Sequence, residues 1–254
     1  MVLKHPHQDK DIDTSSPSAT REELYSSISK GAQLNANFVF FVIASVIVAA
    51  IGLLEDNIAV VIGAMVIAPL LGPNVALAFS AVLGDLEFLW RSLKINAAGL
   101  LLTLGLSLAI GFLWPVNLLS NEILARTDIG YGGVALALAS GAAAVLSLTS
   151  GVSSALVGVM VAVALMPPAV TLGMLVAAGE FRLATGASLL LAGNVICVNL
   201  SASLVFLLKG IKPRTWLEKR KAQQSIRWSL LFWTIALSLL LLVIYIRQLI
   251  VSAS

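Results

Sequence analysis

Proline interrupts two long apolar runs near their middle, as Pro69, Gly72 and Pro73 in APLLGP and as Pro167 and Pro168 in MPPA. A proline removes a helix amide and clashes with the preceding turn, so carbonyls near Val66, Ala68 and Ala164 lose their partners. Freed polar backbone at membrane depth persists only where protein or water covers it. Two such breaks facing each other could offer carbonyls to a cation, or helix amino termini to an anion or polar group. The plainer alternative is a pair of kinks that serve packing. Asn74 directly follows Pro73, where its amide could cap the second half-helix or touch a solute. Asn194 and Asn199 lie deep in a later apolar run and serve equally well as interhelical glue, worth about 0.6 to 2 kcal/mol each.

The acids stand at the ends of apolar runs: Glu55 and Asp56, then Asp85 and Glu87, then Glu180. None sits at a span centre, so a proton relay built on a central carboxylate has no support. They read as solvated acids that favour the start of the next helix, with Glu55 or Asp56 drawn inward only if the second segment is re-entrant. Both histidines, His5 and His7, lie in the polar amino-terminal tail. The chain has no HExxH, no membrane histidine cluster, no glycine-rich phosphate loop and no nucleophile elbow. LGD at 83–85 departs from the Gly-x-Gly-Asp of intramembrane aspartyl proteases because Val82 replaces the first glycine. No enzyme, metal or cofactor is therefore expected.

The two proline motifs sit in one apolar design written twice, VVIGAMVIAPLLGPNVALAFSAVLG at 60–84 and ALVGVMVAVALMPPAVTLGMLVAAG at 155–179. A shift of 95 positions pairs Gly63 with Gly158, Met65 with Met160, Pro73 with Pro168 and Gly84 with Gly179, with Asp85 and Glu180 next. Interrupted segments in matching halves point to a binding or conduction site. The repeat units run over 35–112 and 130–207, each with three apolar segments. Small residues four apart, Ala64 with Ala68 and Gly158 with Ala162, allow close helix approach and leave room for a homo-oligomer.

Hydrophobic residues make up 59% of the chain, charged residues 11%, and the mean hydropathy is +0.97. An ordinary soluble domain carries about 25% charged residues, so this is an integral membrane protein. Apolar stretches at 38–54, 58–83, 94–115, 132–149, 154–178, 185–208 and 228–250 are long enough to cross a bilayer, and none alternates as a strand would. The expected fold is an all-α polytopic bundle of about seven spans: two three-segment repeats with proline-broken middle helices and one extra carboxyl-terminal helix. If every segment crosses, each unit has an odd number of spans and the halves are inverted. Re-entrant hairpins at the two interrupted segments would instead leave five crossings and parallel halves.

Seven of sixteen Lys and Arg fall in the 209–227 loop, which the positive-inside rule makes cytoplasmic. Seven spans place thirteen basic residues on the side of the amino terminus and three opposite; the re-entrant scheme gives twelve and four. The count favours seven spans, an inner-membrane protein with a cytoplasmic amino terminus, and a carboxyl terminus outside. The net charge of +3 is thereby an orientation signal rather than a nucleic-acid signal. An anionic lipid at Lys219, Arg220 and Lys221 is the other reading of that loop. Residues 1–36 form a polar tail, disordered to about Thr20, where Thr20 and Glu23 match a capping box for a juxtamembrane helix. No signal peptide precedes the apolar region. Residues 37–208 form the membrane domain, and 228–254 the last helix and its tail. Cys197, alone, is a packing residue.

GAMVIAPLLGPNVALAFSAVLGD, VGVMVAVALMPPAVTLGMLVAAGE and LLLAGNVICVNLSASLVFLLKGIKPR resemble the uncharacterised bacterial hydrophobic membrane proteins grouped as domain of unknown function family 389, over roughly residues 35–210. The resemblance implies a multi-spanning prokaryotic inner-membrane protein and brings no substrate. It also implies that an activity residing in the soluble domain which precedes the membrane part of many relatives is not to be expected here. The combined expectation is a transporter or channel for a small solute or ion, with a scaffold or accessory subunit as the alternative.

Overall fold

The computed structural model describes residues 17–150, 154–211 and 216–253 and is helical throughout, with no strand among the described residues. Ten helices follow in order. They are α1 (Pro17–Gly31), α2 (Ala36–Leu54), α3 (Ile58–Ile67), α4 (Leu71–Leu83), α5 (Leu86–Leu113), α6 (Asn121–Leu124), α7 (Tyr131–Ser150), α8 (Ser154–Ala177), α9 (Phe181–Leu208) and α10 (Trp216–Ala253). Five of them are long and apolar enough to cross a bilayer, and the pair α3–α4, bent by 54°, makes a sixth. The 24-residue α8 completes the second repeat. This is the polytopic bundle expected.

The 95-residue shift carries the helix boundaries with it. It takes Ala36 to Tyr131, where α7 begins, and maps Leu86–Leu113 onto Phe181–Leu208, the bounds of α5 and α9. At the joints, Gly84 and Gly179 have φ of 71° and 75°. Glycine adopts that left-handed turn with the least strain, and it lets the next amide reach back over the helix end. Asp85 N donates to Ser80 O at 3.1 Å and Glu180 N to Leu175 O at 2.9 Å, one bond in two copies. The packing has the same symmetry: α5 lies against α8, and its equivalent α9 against α4.

The repeats are inverted, as α10 reveals by touching both ends of the bundle. Ser225 Oγ donates to Ala81 O, beside the Asp85 turn. About 33 Å along the helix at 1.5 Å per residue, Arg247 Nη1 and Nη2 donate to Thr127 O in the linker between repeats. That carbonyl sits directly on Gly186, near the Glu180 end of α9. The Asp85 turn thus lies at one face, here the amino-terminal face, and the Glu180 turn at the other, the linker face. The start of α3 belongs to the linker face, because Asp56 accepts from Ser120 and from the Glu122 amide. So α3–α4 runs from one face to the other and does not turn back as a re-entrant hairpin.

Several sequence expectations shift. The third and sixth segments begin at Leu86 and Phe181, earlier than hydropathy indicates, since the polar first two turns carry Glu87, Arg91 and Arg182. Much of the expected basic loop is helix, because α10 starts at Trp216 and takes in Lys219, Arg220 and Lys221. α1 starts at Pro17, a residue suited to a first helical turn, so Thr20 lies within the helix rather than at its cap. The expected disorder before Pro17, and the side chains of Gly158, Met160 and Ala162, lie outside what is described.

The two proline motifs also differ. In the first copy Pro69 pushes Ala68 to an extended conformation (φ −63°, ψ 122°) and the helix breaks. In the second, α8 continues through Pro167 and Pro168. The expectation of two broken middle helices therefore holds for the first repeat only. Both second-copy prolines are buried, and α8 is packed by α5, α7 and α9, surroundings that can hold a helix missing two amide bonds.

Candidate functional site

The break is fixed from three sides. Ser45 Oγ of α2 donates to Ala64 O at 2.6 Å, tying down the last turn of α3. On the far side of the break Asn74 Nδ2 donates back to Leu70 O at 2.9 Å, while Leu70, the residue preceding α4, makes no side-chain cap bond. Asn74 therefore braces the first turn of α4 through a carbonyl instead of capping its amides. Pro69 cannot donate to Met65, nor Pro73 to Pro69, so backbone acceptors are released on both sides of the bend.

The third side is α1. Its polar sequence carries an apolar edge of Leu24, Tyr25, Ile28 and Ala32, and Ile28 and Ala32 are buried against the bundle. The Tyr25 ring packs against Phe79 and Phe88, with centroids 6.1 and 5.3 Å away. Its hydroxyl donates to Asp85 Oδ2 at 3.3 Å. Burial, and then the Asp85 carboxylate, raise the Tyr25 pKa above its ordinary value. At the other end of α1, Gly31 lies directly on Gly72. Between this helix end and the break is a cavity of about 360 Å³, lined by Ile28, Gly31, Val66, Pro69, Gly72 and Leu148. Its size is within the usual range of about 300 to 1,000 Å³ for ligand sites.

One turn into α4 the two repeats meet. Asn199 of α9, fully buried, donates Nδ2 to Asn74 Oδ1 at 3.4 Å and to Val195 O at 2.9 Å. Asn199 Oδ1 is buried and has no protein partner. An acceptor left that way costs about 1 to 3 kcal/mol unless something donates to it. Shifting the pair by 95 gives Ala169 and Leu104, so the matching α8–α5 interface has no amides there. The Phe79–Phe206 ring contact at 5.1 Å likewise maps onto Met174 lying against Gly111. The molecule thus has a symmetric frame in which the amide pair and the break belong to the α4–α9 side, while the α5–α8 side buries the hydroxyls of Thr103, Ser107 and Thr171.

Among the residues singled out in the sequence, Pro69, Gly72, Pro73 and Asn74 gather at the break. Pro167 and Pro168 are buried within α8, which packs against α3 and α4. Asn194 is buried in α9, more than a turn before Asn199. The acids stand apart from the break. Asp85 accepts from Phe88 N as the cap of α5, whereas Glu180, in the matching position, makes no side-chain cap bond. Glu55 is exposed at the α2–α3 turn. Asp56 accepts from Glu122 N at 2.8 Å, Asn121 Nδ2 at 2.9 Å and Ser120 Oγ at 3.0 Å, and the Glu122 amide above all lowers its pKa. Of these acids Asp85 caps a helix and Asp56 ties a turn to the linker. Sequence reasoning did not single out Ser45, Tyr25 or Gly31, whose roles depend on contacts far along the chain.

The fold and site define a multi-pass helical membrane protein made of two inverted three-segment repeats, with a single broken helix at their junction. The chain belongs to the family described as domain of unknown function (DUF389), whose model matches residues 65–200. It is also 37% identical over 226 residues to the "Uncharacterized protein MJ0678" of Methanocaldococcus jannaschii, covering 89% of this chain and 71% of that protein. That relative is archaeal, so the family is wider than the bacterial grouping the resemblance implied. No solved structure matches.

Proposed function

We propose that this protein is a transporter or channel for a small solute or ion, seated in the inner membrane with a cytoplasmic amino terminus and an outward carboxyl terminus. The observation that carries the reading is the bent α3–α4 pair with the Asn74–Asn199 contact beside it. Broken backbone next to a buried, unsatisfied amide is costly unless a solute or water uses it. Inverted repeats around such a break are the arrangement in which alternating access can work. The orientation rests on the excess of Lys and Arg on the amino-terminal face. No catalytic role enters this reading, since Asp85 and Asp56 stand in capping and turn contacts and the acids lie apart from the break.

The test is a flux screen with purified protein in liposomes, using monovalent cations, halides and small neutral polar solutes. Flux above empty liposomes that falls when Pro69 is replaced by alanine supports the proposal. Folded protein that moves none of these solutes rejects it. One observation favours the alternative of a scaffold or accessory subunit: α8 stays helical through Pro167 and Pro168, as a packing element would. On that reading Pro73→Ala or Pro168→Ala alters stability or assembly and leaves flux unchanged.

A further inference from the structure

A second cavity, of about 700 Å³, opens between the α4–α5 hairpin and α10, away from the break. Leu77, Leu89 and Leu93 form one wall, and Trp228, Phe232 and Trp233 the other. Apart from the Trp228 and Trp233 indoles its polar side chains are two serines, Ser225, which already donates to Ala81 O, and Ser229. Water gains little in such a site, because it needs two to four polar partners. The groove is partly open and lies beside α10, which contacts the bundle chiefly through α9 and α4. In a bilayer, an apolar crevice of this form between helices is filled by an acyl chain.

The charges around the groove favour one kind of lipid. Its mouth lies at the Gly84 turn on the amino-terminal face, and Trp228, 67% exposed, stands there as an interfacial anchor. Arg227 directly precedes it and is exposed, and Lys219, Arg220 and Lys221 lie two to three turns earlier in α10. Against these four bases are Glu218 on the same helix and Asp85 and Glu87 on the opposite wall. Asp85 is engaged by Phe88 N and the Tyr25 hydroxyl. By sequence the opening of α10 thus carries four bases against one acid.

We infer that the groove between the α4–α5 hairpin and α10 is a binding site for an anionic glycerophospholipid, with an acyl chain between Leu89 and Phe232 and the headgroup among the bases that open α10. In the sequence an anionic lipid at Lys219, Arg220 and Lys221 is the alternative to the orientation reading of that loop; the groove supplies a defined seat for its tail. The bound lipid fills the space between α10 and the hairpin. This inference stands whether or not the protein transports anything.

The experiment is native mass spectrometry of the full chain, released from detergent after titration with phosphatidylglycerol or with phosphatidylcholine of the same acyl chains. Phosphatidylglycerol is expected to remain bound at low stoichiometry when phosphatidylcholine is lost. Ser229→Phe, which fills the groove from α10, abolishes that adduct, and Leu93→Trp does so from the other wall should the first variant fold poorly. Replacing Lys219, Arg220, Lys221 and Arg227 with glutamine weakens phosphatidylglycerol by roughly fivefold per charge and erases the preference. Equal retention of the two lipids overturns the inference. So does undiminished phosphatidylglycerol binding in folded groove-filling variants, or a dimer sealed through the Trp228 face that excludes lipid.

Discussion

Gly72 meets the backbone of Gly31 so closely that a methyl group on it would collide with the Gly31 carbonyl, whereas a methyl on Gly31 would lie at an ordinary 3.6 Å from Gly72 Cα. The contact is asymmetric although both partners are glycine. It seats the end of α1 over the break in α3–α4, so the juxtamembrane helix and the site are mechanically joined.

That asymmetry predicts unequal effects from equal substitutions. Gly72→Ala must displace α1 and should lower stability by about 1 to 3 kcal/mol, the usual cost of overpacking. Gly31→Ala should be close to neutral. Gly63→Ala, at a position with open space around it, is the control. Thermal unfolding in detergent compares the three, and protease cleavage after Lys30 reports on the detachment of α1. Equal stability of the Gly72 and Gly31 variants would show that this contact does not hold α1.

The Asn74–Asn199 pair can be removed without disturbing the frame, because the other repeat interface supplies the replacement. Asn74→Ala with Asn199→Leu installs the residues found at the equivalent positions 169 and 104. Leaving Asn199 alone, as in Asn74→Ala, should destabilise by about 1 to 3 kcal/mol because more of a buried amide goes unpaired. The double variant should recover that loss. If the pair serves a solute, flux should still be lost in the double variant despite recovered stability. Recovery of both stability and flux would make the amides glue.

Much of this arrangement is legible in the sequence, and the parts that are not share a physical cause. The 95-residue repeat locates α2 to α5 and α7 to α9 because an inverted fold needs the same turn twice, and Gly84–Asp85 and Gly179–Glu180 supply it. The first break is readable from Pro69 and Pro73 around Gly72. The continuity of α8 is not, since a proline's local preference is set against burial that only tertiary packing provides. Hydropathy misses the first turns of α5 and α9, where Glu87, Arg91 and Arg182 are polar yet helical. The seating of α1 and the polar pair between repeats depend on residues far apart in the chain, such as Gly31 with Gly72 and Asn74 with Asn199. One-dimensional spacing carries no signal for those meetings.

Asp56 ties the α2–α3 turn to the linker and sets a pH dependence of definite sign. It has a positive φ of 53°, which asparagine also accepts readily, so Asp56→Asn isolates the carboxylate from the backbone. Its pKa in the folded protein is below the ordinary 3.8, so the folded state binds the proton less tightly than the unfolded chain. The contribution is fully present above 3.8 and is lost as pH falls through the lower folded value. Hydrogen exchange at the Glu122 amide should therefore quicken only in strong acid, after correction for intrinsic rates. In Asp56→Asn it should be faster at neutral pH and lack that acid step. An unchanged acid profile in the variant would assign the step to another group.

The inversion of the repeats makes the most direct prediction. Glu87 and Arg182 are exposed just after the two equivalent turns, and Cys197 is buried. In a Cys197→Ser background, Glu87→Cys and Arg182→Cys should react with a membrane-impermeant thiol reagent from opposite sides of the membrane. Arg182→Cys should label in intact cells, and Glu87→Cys only after the membrane is opened, because the excess of basic residues is on the face of Glu87. Labelling of both from outside would require parallel halves and contradict the crossing of α3–α4. Labelling of Glu87→Cys alone from outside would keep the inversion and reverse the orientation, showing that the basic residues at the start of α10 do not set the topology.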